Sequence, residues 1–573
     1  MPSLTISLSL RSRLRSSTRV DSYGLLGSNP ALVFDFKNDY FRKSATASTF
    51  AASITHARAS SATMMNASGT LVTVGNNVPR TGHHIYNGSA WVNEGILHES
   101  EARTNLVTDS GDALGAGWTG GATIGTVTSG SPFGTYQTVS PTSNSINLGP
   151  AQRYQIGKPL TSGSTYVSWA LVKYSAGSGW FLIRPYDTGN TSTRAYFDLQ
   201  NGVVGSKDTP IIDHGMIDYG DGWWLCWASR NAASTNGGFV VEVPNADNVV
   251  ACSAADVILI AGSQFELGAT PSSYIPTTSA TVTRAAETLT VPAANLPWPT
   301  PVETTGTELV TNGTFATDTD WTLDAASSIT GGELVSTKTN AGVIASQSVS
   351  FVAGKVYLVT FDFTNPNNRI LVPRFSGGTT ASLPATTASA GSYSNYITAN
   401  AGNNTFQWNT AGTGFQGTID NISVKEVNPL SVSIQMDGKM TYADTGIAAE
   451  VGFTNWFVSG TDNLSSRLDT AGAETGRAYF KQEYAGANYI VEGPADTYSP
   501  SVNVPFNIAS RHGSTFINGA VGGTALTANT TPTALPDLSA TDLELGNVFM
   551  GTIGQFRMWD EDLTDAGITE AST

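Results

Sequence analysis

The sequence predicts an all-β protein: an N-terminal arm and leader followed by three β-sandwiches in tandem. Two features predict this. Charged residues make up 13% of the 573 positions while glycine alone supplies 59. That balance suits short strands and tight turns better than helices, whose exposed faces need Lys, Glu and Arg. Apolar residues also alternate with polar ones in short runs bounded by Gly, Ser and Asn, the period-2 pattern of half-buried strands. The length exceeds what one core supports, and roughly three to four domains are expected. With 40% hydrophobic residues, among them 12 Trp, 19 Tyr and 23 Phe, several cores can be filled, which excludes a disordered chain. The net charge of −16 argues against a nucleic-acid partner, which needs a basic footprint. No run approaches the roughly 18 apolar residues of a membrane span, so no membrane insertion is expected.

Residues 1–28 begin with Leu4, Ile6, Leu8 and Leu10 alternating with polar residues, which is strand periodicity. The stretch is rich in Arg and Ser with no acid before Asp21, as transit peptides are. The reading taken is a β-arm that pairs with another protein and carries Arg11, Arg13, Arg15 and Arg19; the alternative is a frayed terminus. Residues 29–110 form a leader containing ALVFDF, GTLVTVGNNVPR and GILHESEARTNL. Residues 111–291 form the first sandwich, with strands such as TYVSWALVKY, GWFLIRPY and GWWLCWASR at sandwich spacing. Its closing segment runs from Gly262 to Glu287. There Phe265 and Leu267 alternate with Gln264 and Glu266, and Gly268, Pro271 and Pro276 end regular pairing, since proline supplies no ladder donor.

Residues 292–305 are Pro-rich and read as a stiff linker. A second sandwich spans 306–428, with SFVAGKVYLVTFDF as its middle strand, and a third spans 429–573. In the third, Asn518-Gly519 is expected as a hairpin turn. LTDAGITEA is expected as a short helix, N-capped by Thr564 or Asp565.

The chemistry-bearing residues form few patterns. Cys226 and Cys252 are the two cysteines; a disulfide is one reading, and the one taken is a buried free thiol at Cys226. His83 and His84 are adjacent rather than i, i+4, and the other histidines are isolated, so no metal site is assigned and a solvated role is expected. Asp213 and Asp218 flank His214, Asp218 and Asp221 share a turn, and Asp560, Glu561 and Asp562 share another. Paired carboxylates can hydrolyse a glycosidic bond, but these read as turn acids. No catalytic residue is assigned, and the chain is expected not to be an enzyme.

Particular stretches carry a resemblance. Arg58–Thr63 (RASSAT), Asn76–Arg80 (NNVPR) and Arg103–Leu106 (RTNL), in that order, resemble the leader of head-spike fibre proteins of phages and gene-transfer agents. The QFELG, SYIPT and VTRAA runs within 262–287 resemble the closing motif of the carbohydrate-binding-like domain of such head spikes and tail fibres. On that family's pattern Trp223 and Cys226 are core residues. NGTFATDTDW and GTIDNISVKEV resemble the opening and closing of jelly-roll carbohydrate-binding modules. Gly546, Ile553, Phe556–Trp559 and Leu563–Ile568 resemble the end of concanavalin/laminin-G-like domains, although Leu545 replaces the usual isoleucine. The resemblance implies that the first two sandwiches are jelly rolls and the third concanavalin-like. No cofactor is expected, although a jelly roll's structural Ca²⁺ would draw on Asp320 or Asp420.

By resemblance, then, the chain is a virion surface protein, assembled in the bacterial cytoplasm. It is a head spike or fibre that attaches the particle to host polysaccharide, with the arginine arm docking to capsid or other spike proteins. A homo-oligomer is implied, a trimer or, at a capsid vertex, a pentamer. The alternatives are a tail fibre of the same build, a structural decoration protein and a secreted polysaccharide hydrolase. Sugar rings stack on exposed aromatics beside amide or charged groups. The candidates are Trp180, Arg184 and Tyr186 on one face of GWFLIRPY; Asn404 with Trp408; Asn455 with Trp456; and Tyr484 with Tyr489. For each aromatic, burial in a sandwich core is the competing reading.

Overall fold

The computed structural model describes residues 23–573 except 26–27, 190–192, 300–301, 304–307, 354, 387–388, 429 and 447–448. The arm arginines Arg11, Arg13, Arg15 and Arg19 lie outside the described residues. The fold is nearly all β, as expected, and divides into two compact units. No helix among the described residues is long and apolar enough to cross a membrane.

The first unit comprises residues up to Trp298 together with Val432–His512 and Phe516–Thr573. It contains two sandwiches. In the first, a seven-stranded sheet runs Thr123–Ile124, Gly134–Ser140, Val257–Leu267, Thr165–Ala176, Trp223–Asn231 and Ile211–Asp218, with Thr128–Ser131 paired to Gly134–Ser140. Facing it is a five-stranded sheet, Gln152–Pro159, Asn236–Glu242, Trp180–Asp187, Ala195–Asp198 and Val203–Lys207. Phe181, Phe197, Cys226, Phe239 and Phe265 fill the core. Alternation puts Trp169, Leu171, Trp223, Leu225 and Trp227 on the opposite face, where they form a second apolar cluster with Tyr274. This sheet is therefore buried on both sides. Cys226 and Cys252 are both free and buried.

The other sandwich corrects the expected domain plan. The leader 29–110 is not a separate segment, because several of its strands complete the C-terminal sandwich. Leu32–Asp35 and Ile96–Glu99 both pair antiparallel with Met550–Trp559, with Phe34 opposite Phe556 and Ile96 opposite Ile553. In the facing sheet, Thr288–Val291 lies between Thr55–Ala57 and Leu543–Leu545. The first part of the supposed linker is also held: Ala293 N–H donates to Asp542, Asn295 donates to the Ala52 carbonyl, and Trp298 packs edge-on against Trp456.

Two local expectations fail in this sandwich. Asn518 and Gly519 lie inside the strand Ile517–Val521, not in a turn. Glycine is needed there because a Cβ would fall 2.0 Å from the Phe480 ring. The helix Thr564–Ala571 forms, but its N-cap is Leu563 and no side chain caps it. A one-turn helix, Phe50–Ser53, also forms, capped by the Thr49 hydroxyl accepting from Ala52 N–H.

The second unit is the 299–431 sandwich. Val356–Thr364 lies between Gln416–Asn428 and Ala390–Thr398, and the facing sheet includes Gly342–Ser348, Thr405–Thr410 and Leu371–Ser376. Its own core contains Trp321, Phe361, Phe375, Phe406 and Trp408.

Candidate functional site

A pocket opens on the outer apolar face of the seven-stranded sheet, walled by the leader on one side and the 271–274 exit on the other. Its key element is the hairpin His84–Tyr86 and Trp91–Asn93. The Asn87 side-chain oxygen closes the turn by accepting the N–H groups of Ser89 and Ala90, as asparagine does in tight turns. The register sets Tyr86 opposite Trp91 with ring centroids 5.7 Å apart. Trp91 lies against Gly69, where φ is +69° and a Cβ would sit 2.1 Å from the indole nitrogen. Only glycine meets both demands.

From Trp91 the aromatic wall continues without a gap. Tyr219 meets Trp91 edge-on at 5.8 Å, Phe133 meets Tyr219 at 5.9 Å, and Phe133 stacks on Tyr274 at 4.7 Å. The enclosed space is about 100 Å³, room for several water molecules. Polar groups punctuate the apolar lining: His83, His84, Asp218, Ser272, Ser273, Thr441 and Asn503. Burial pushes the Tyr274 phenol up to about 12, against a hydrogen bond with Ser110 that lowers it. Burial likewise raises the Tyr219 phenol well above its ordinary value, helped by Glu99. Both rings therefore present neutral faces. An apolar wall with a few convergent polar groups is the usual make-up of a small-ligand site.

Behind the pocket lies a buried ionic junction. Arg80 reaches both carboxylate oxygens of Glu287 and also contacts Glu99 at 2.7 Å. Arg58 contacts Glu287 at 2.5 Å, and Arg284 contacts Glu99 at 3.1 Å. Spare guanidinium donors go to carbonyls, those of Gly75 and Val78 from Arg58 and that of Glu101 from Arg284. Burial would raise the Glu99 carboxyl, but Arg284 and Arg80 more than reverse this and hold it at about 2. Glu287 is held well below the usual carboxylate range, burial being outweighed chiefly by Arg80. Arg58, Arg80, Arg284 and Glu287 are residues of the motifs that prompted the resemblance, or adjoin them. The RASSAT, NNVPR and VTRAA motifs thus supply the three arginines of this junction, while Arg103 of RTNL pairs with Glu101 outside it.

The sugar candidates from the sequence fall elsewhere. Trp180, Arg184 and Tyr186 do share one face of their strand, half-buried, alternating with the core residues Phe181 and Ile183. Arg184 is paired with Glu242 at 3.1 Å, and Trp180 packs where a Cβ on Gly205 would lie 2.7 Å from its ring. Trp408 and Trp456 are corrected: both are fully buried. The alternation of their strands turns them inward, Trp408 onto Phe361 at 4.5 Å and Trp456 onto Trp298, with its indole N–H given to the Thr541 carbonyl. Neither can stack on a ligand. Asn404 is exposed, Asn455 is half-buried beside Glu544, and Tyr484 and Tyr489 lie on adjacent strands. None of these joins the pocket.

His83 and His84, expected to be solvated, are half-buried in the pocket lining. The pocket's aromatics were not singled out from the sequence. Their signal is present in YNGSAW, where two aromatics flank a turn, the arrangement of a cross-strand aromatic pair. The scattered acids serve locally: Asp218 accepts the Gly220 N–H, Asp221 pairs with Lys173, and Asp562 pairs with Arg511. Among the described residues no three His, Cys, Asp or Glu side chains are grouped to hold a metal. Asp320 accepts from the Thr319 hydroxyl, and Asp420 accepts the Asn421 N–H.

No family model matches the chain, and no curated protein does. Parts of the chain are similar to solved structures. CBM40 of the Ruminococcus gnavus IT-sialidase, bound to α2,6-sialyllactose, is 13% identical, with 26% of this chain and 85% of that one covered and a TM-score of 0.21. The leech intramolecular trans-sialidase is 15% identical over 25% of this chain, which spans only 23% of the enzyme, at a TM-score of 0.20. The CBM22-1–CBM22-2 tandem of Paenibacillus barcinonensis Xyn10C is 10% identical, covering 57% and 98%, at a TM-score of 0.18.

Proposed function

We propose that the chain is a non-catalytic glycan-binding protein on the surface of a phage or gene-transfer-agent particle, a head spike or fibre that attaches the particle to host polysaccharide. The observation that supports binding is the aromatic pocket. The apolar face of a pyranose stacks on rings such as Trp91 and Tyr86, while histidine and asparagine side chains meet its hydroxyls. Support for the particle role comes from the leader and exit motifs alone. Their residues build the junction that fixes the pocket's leader wall against its sheet wall. Single sugar sites are weak, and display of many copies raises avidity by roughly 10²–10⁴, which suits a homo-oligomer whose arm docks to capsid or other spike proteins.

Binding of the full chain to bacterial cells with and without their capsule tests this reading. Capsule-dependent binding that falls with Trp91→Ala is expected. Equal binding to both cell types, or none, would overturn it. Antibody labelling of purified particles tests the location, and unlabelled particles would remove the virion role.

A further inference from the structure

We infer that the pocket is built for an uncharged sugar and rejects carboxylated ones, with His83 and His84 supplying a hydrogen-bond donor and an acceptor for its hydroxyls. This rests on the glycan-binding reading above. The charge argument comes from the lining, which among the described residues contains no lysine and no arginine. The nearby cation Arg80 cannot turn toward a ligand, because its five donors are all taken. Nε and Nη2 go to Glu287 and Glu99, and Nη1 goes to the Thr63 carbonyl and the Ser273 hydroxyl. The acids in the lining are Glu99, matched by Arg80 and Arg284, and Asp218, which adds only negative charge. A carboxylated sugar would lose hydration here and meet no cation, an arrangement that costs binding energy.

The two histidines present complementary edges. Met65 N–H donates to His83 Nδ1 at 3.2 Å, which places the ring proton on Nε2. Burial, and then the charge of Arg80, hold His83 down at about 3, so the ring stays neutral and Nε2 donates. His84 has its Nδ1 2.8 Å from the Gly82 carbonyl. A carbonyl only accepts, so in the neutral ring Nδ1 carries the proton and Nε2 accepts. Neither Nε2 has a protein partner among the described residues. The lining thus offers one donor and one acceptor, and sugar hydroxyls do both.

The test uses the full chain and tryptophan fluorescence with saturation-transfer NMR. The neutral probes are lactose, cellotetraose, mannotriose and the N-acetylglucosamine trimer; the carboxylated probes are sialyllactose and trigalacturonate. Neutral saccharides are expected to bind, and carboxylated ones about tenfold or more weakly. His83→Phe should weaken binding of the neutral sugar about tenfold with the circular dichroism of the fold kept, while its thermal midpoint falls because Met65 N–H loses its acceptor. His83→Gln, which keeps a donor, should lose less. Trp91-dependent binding of carboxylated probes as tight as that of neutral ones would overturn the charge inference and leave the glycan reading standing. If no saccharide of either kind binds, the glycan reading itself falls.

Discussion

Arg80 and Glu287 stand 207 residues apart in the chain and meet as a bidentate ion pair, Nε 3.0 Å from one carboxylate oxygen and Nη2 2.6 Å from the other. Both side chains are fully buried. The pair ties the leader to the exit of the first sandwich, and Glu287 also accepts the backbone N–H of Glu99 at 2.8 Å, in the strand that pairs with Met550–Trp559. Arg58, Arg80 and the Glu99 N–H, from three places in the leader, thus converge on one carboxylate.

Removing that carboxylate strands three guanidinium groups with one acid. Glu287→Ala should therefore destabilise the first unit by about 3–5 kcal/mol, the usual cost of breaking a buried pair from one side. Urea unfolding would show it. A change below about 1 kcal/mol would mean that the junction contributes little.

A fragment beginning at residue 111 lacks Leu32–Asp35, Thr55–Ala57 and Ile96–Glu99, leaving an edge of Met550–Trp559 and Arg284 unpartnered. Such a fragment should aggregate or expose its C-terminal sandwich to limited proteolysis, because an open strand edge invites pairing with other chains. The 299–431 unit, with its own core, should fold alone with a cooperative thermal transition.

Trp408→Ala should cost about 3–5 kcal/mol in the 299–431 unit, as truncation of a buried tryptophan does, and leave saccharide binding by the full chain unchanged. Trp91→Ala should do the reverse. Paired calorimetry and fluorescence titration separate the two, and loss of binding in Trp408→Ala would place a ligand site in the second unit.

His512 is buried and its pKa is pushed down to about 3 by that burial. Unfolded, it titrates near 6.5. The folded state therefore binds fewer protons between these values, and stability is complete above about pH 6.5 and lost as pH falls toward 3. Within that window one such histidine contributes a slope of up to about 1.4 kcal/mol per pH unit. Glu99, at about 2 in the fold, adds a further loss below about pH 4. Chemical denaturation across pH 3–8 should show His512→Leu with a shallower acid slope than the parent; parallel curves would exclude the histidine.

Much of the fold is legible in the sequence because strand alternation is local. Val356–Thr364 can be read directly from its period-2 pattern. What misleads is direction: alternation says that Trp408 and Trp456 share a face with some neighbours but not whether that face looks inward. The nearly continuous apolar run WWLCWA is a sign of a strand buried on both faces, and it marks the sheet beneath the pocket. Asn518-Gly519 has the letters of a hairpin turn, yet the contact with Phe480 assigns them to a strand.

The sequence by itself determines that this is a β-sandwich protein of several cores, because side-chain alternation and turn residues act over a few positions. It also marks Arg58, Arg80 and Arg284 as words of a motif, with Glu287 beside one, without saying what they do. Only the tertiary structure decides that these residues form one buried junction, that the leader completes the C-terminal sandwich, and that Trp91 meets Tyr219 in the wall of a pocket. The reason is physical: strand pairing and charge burial depend on which distant segments meet, and those meetings leave no local periodicity.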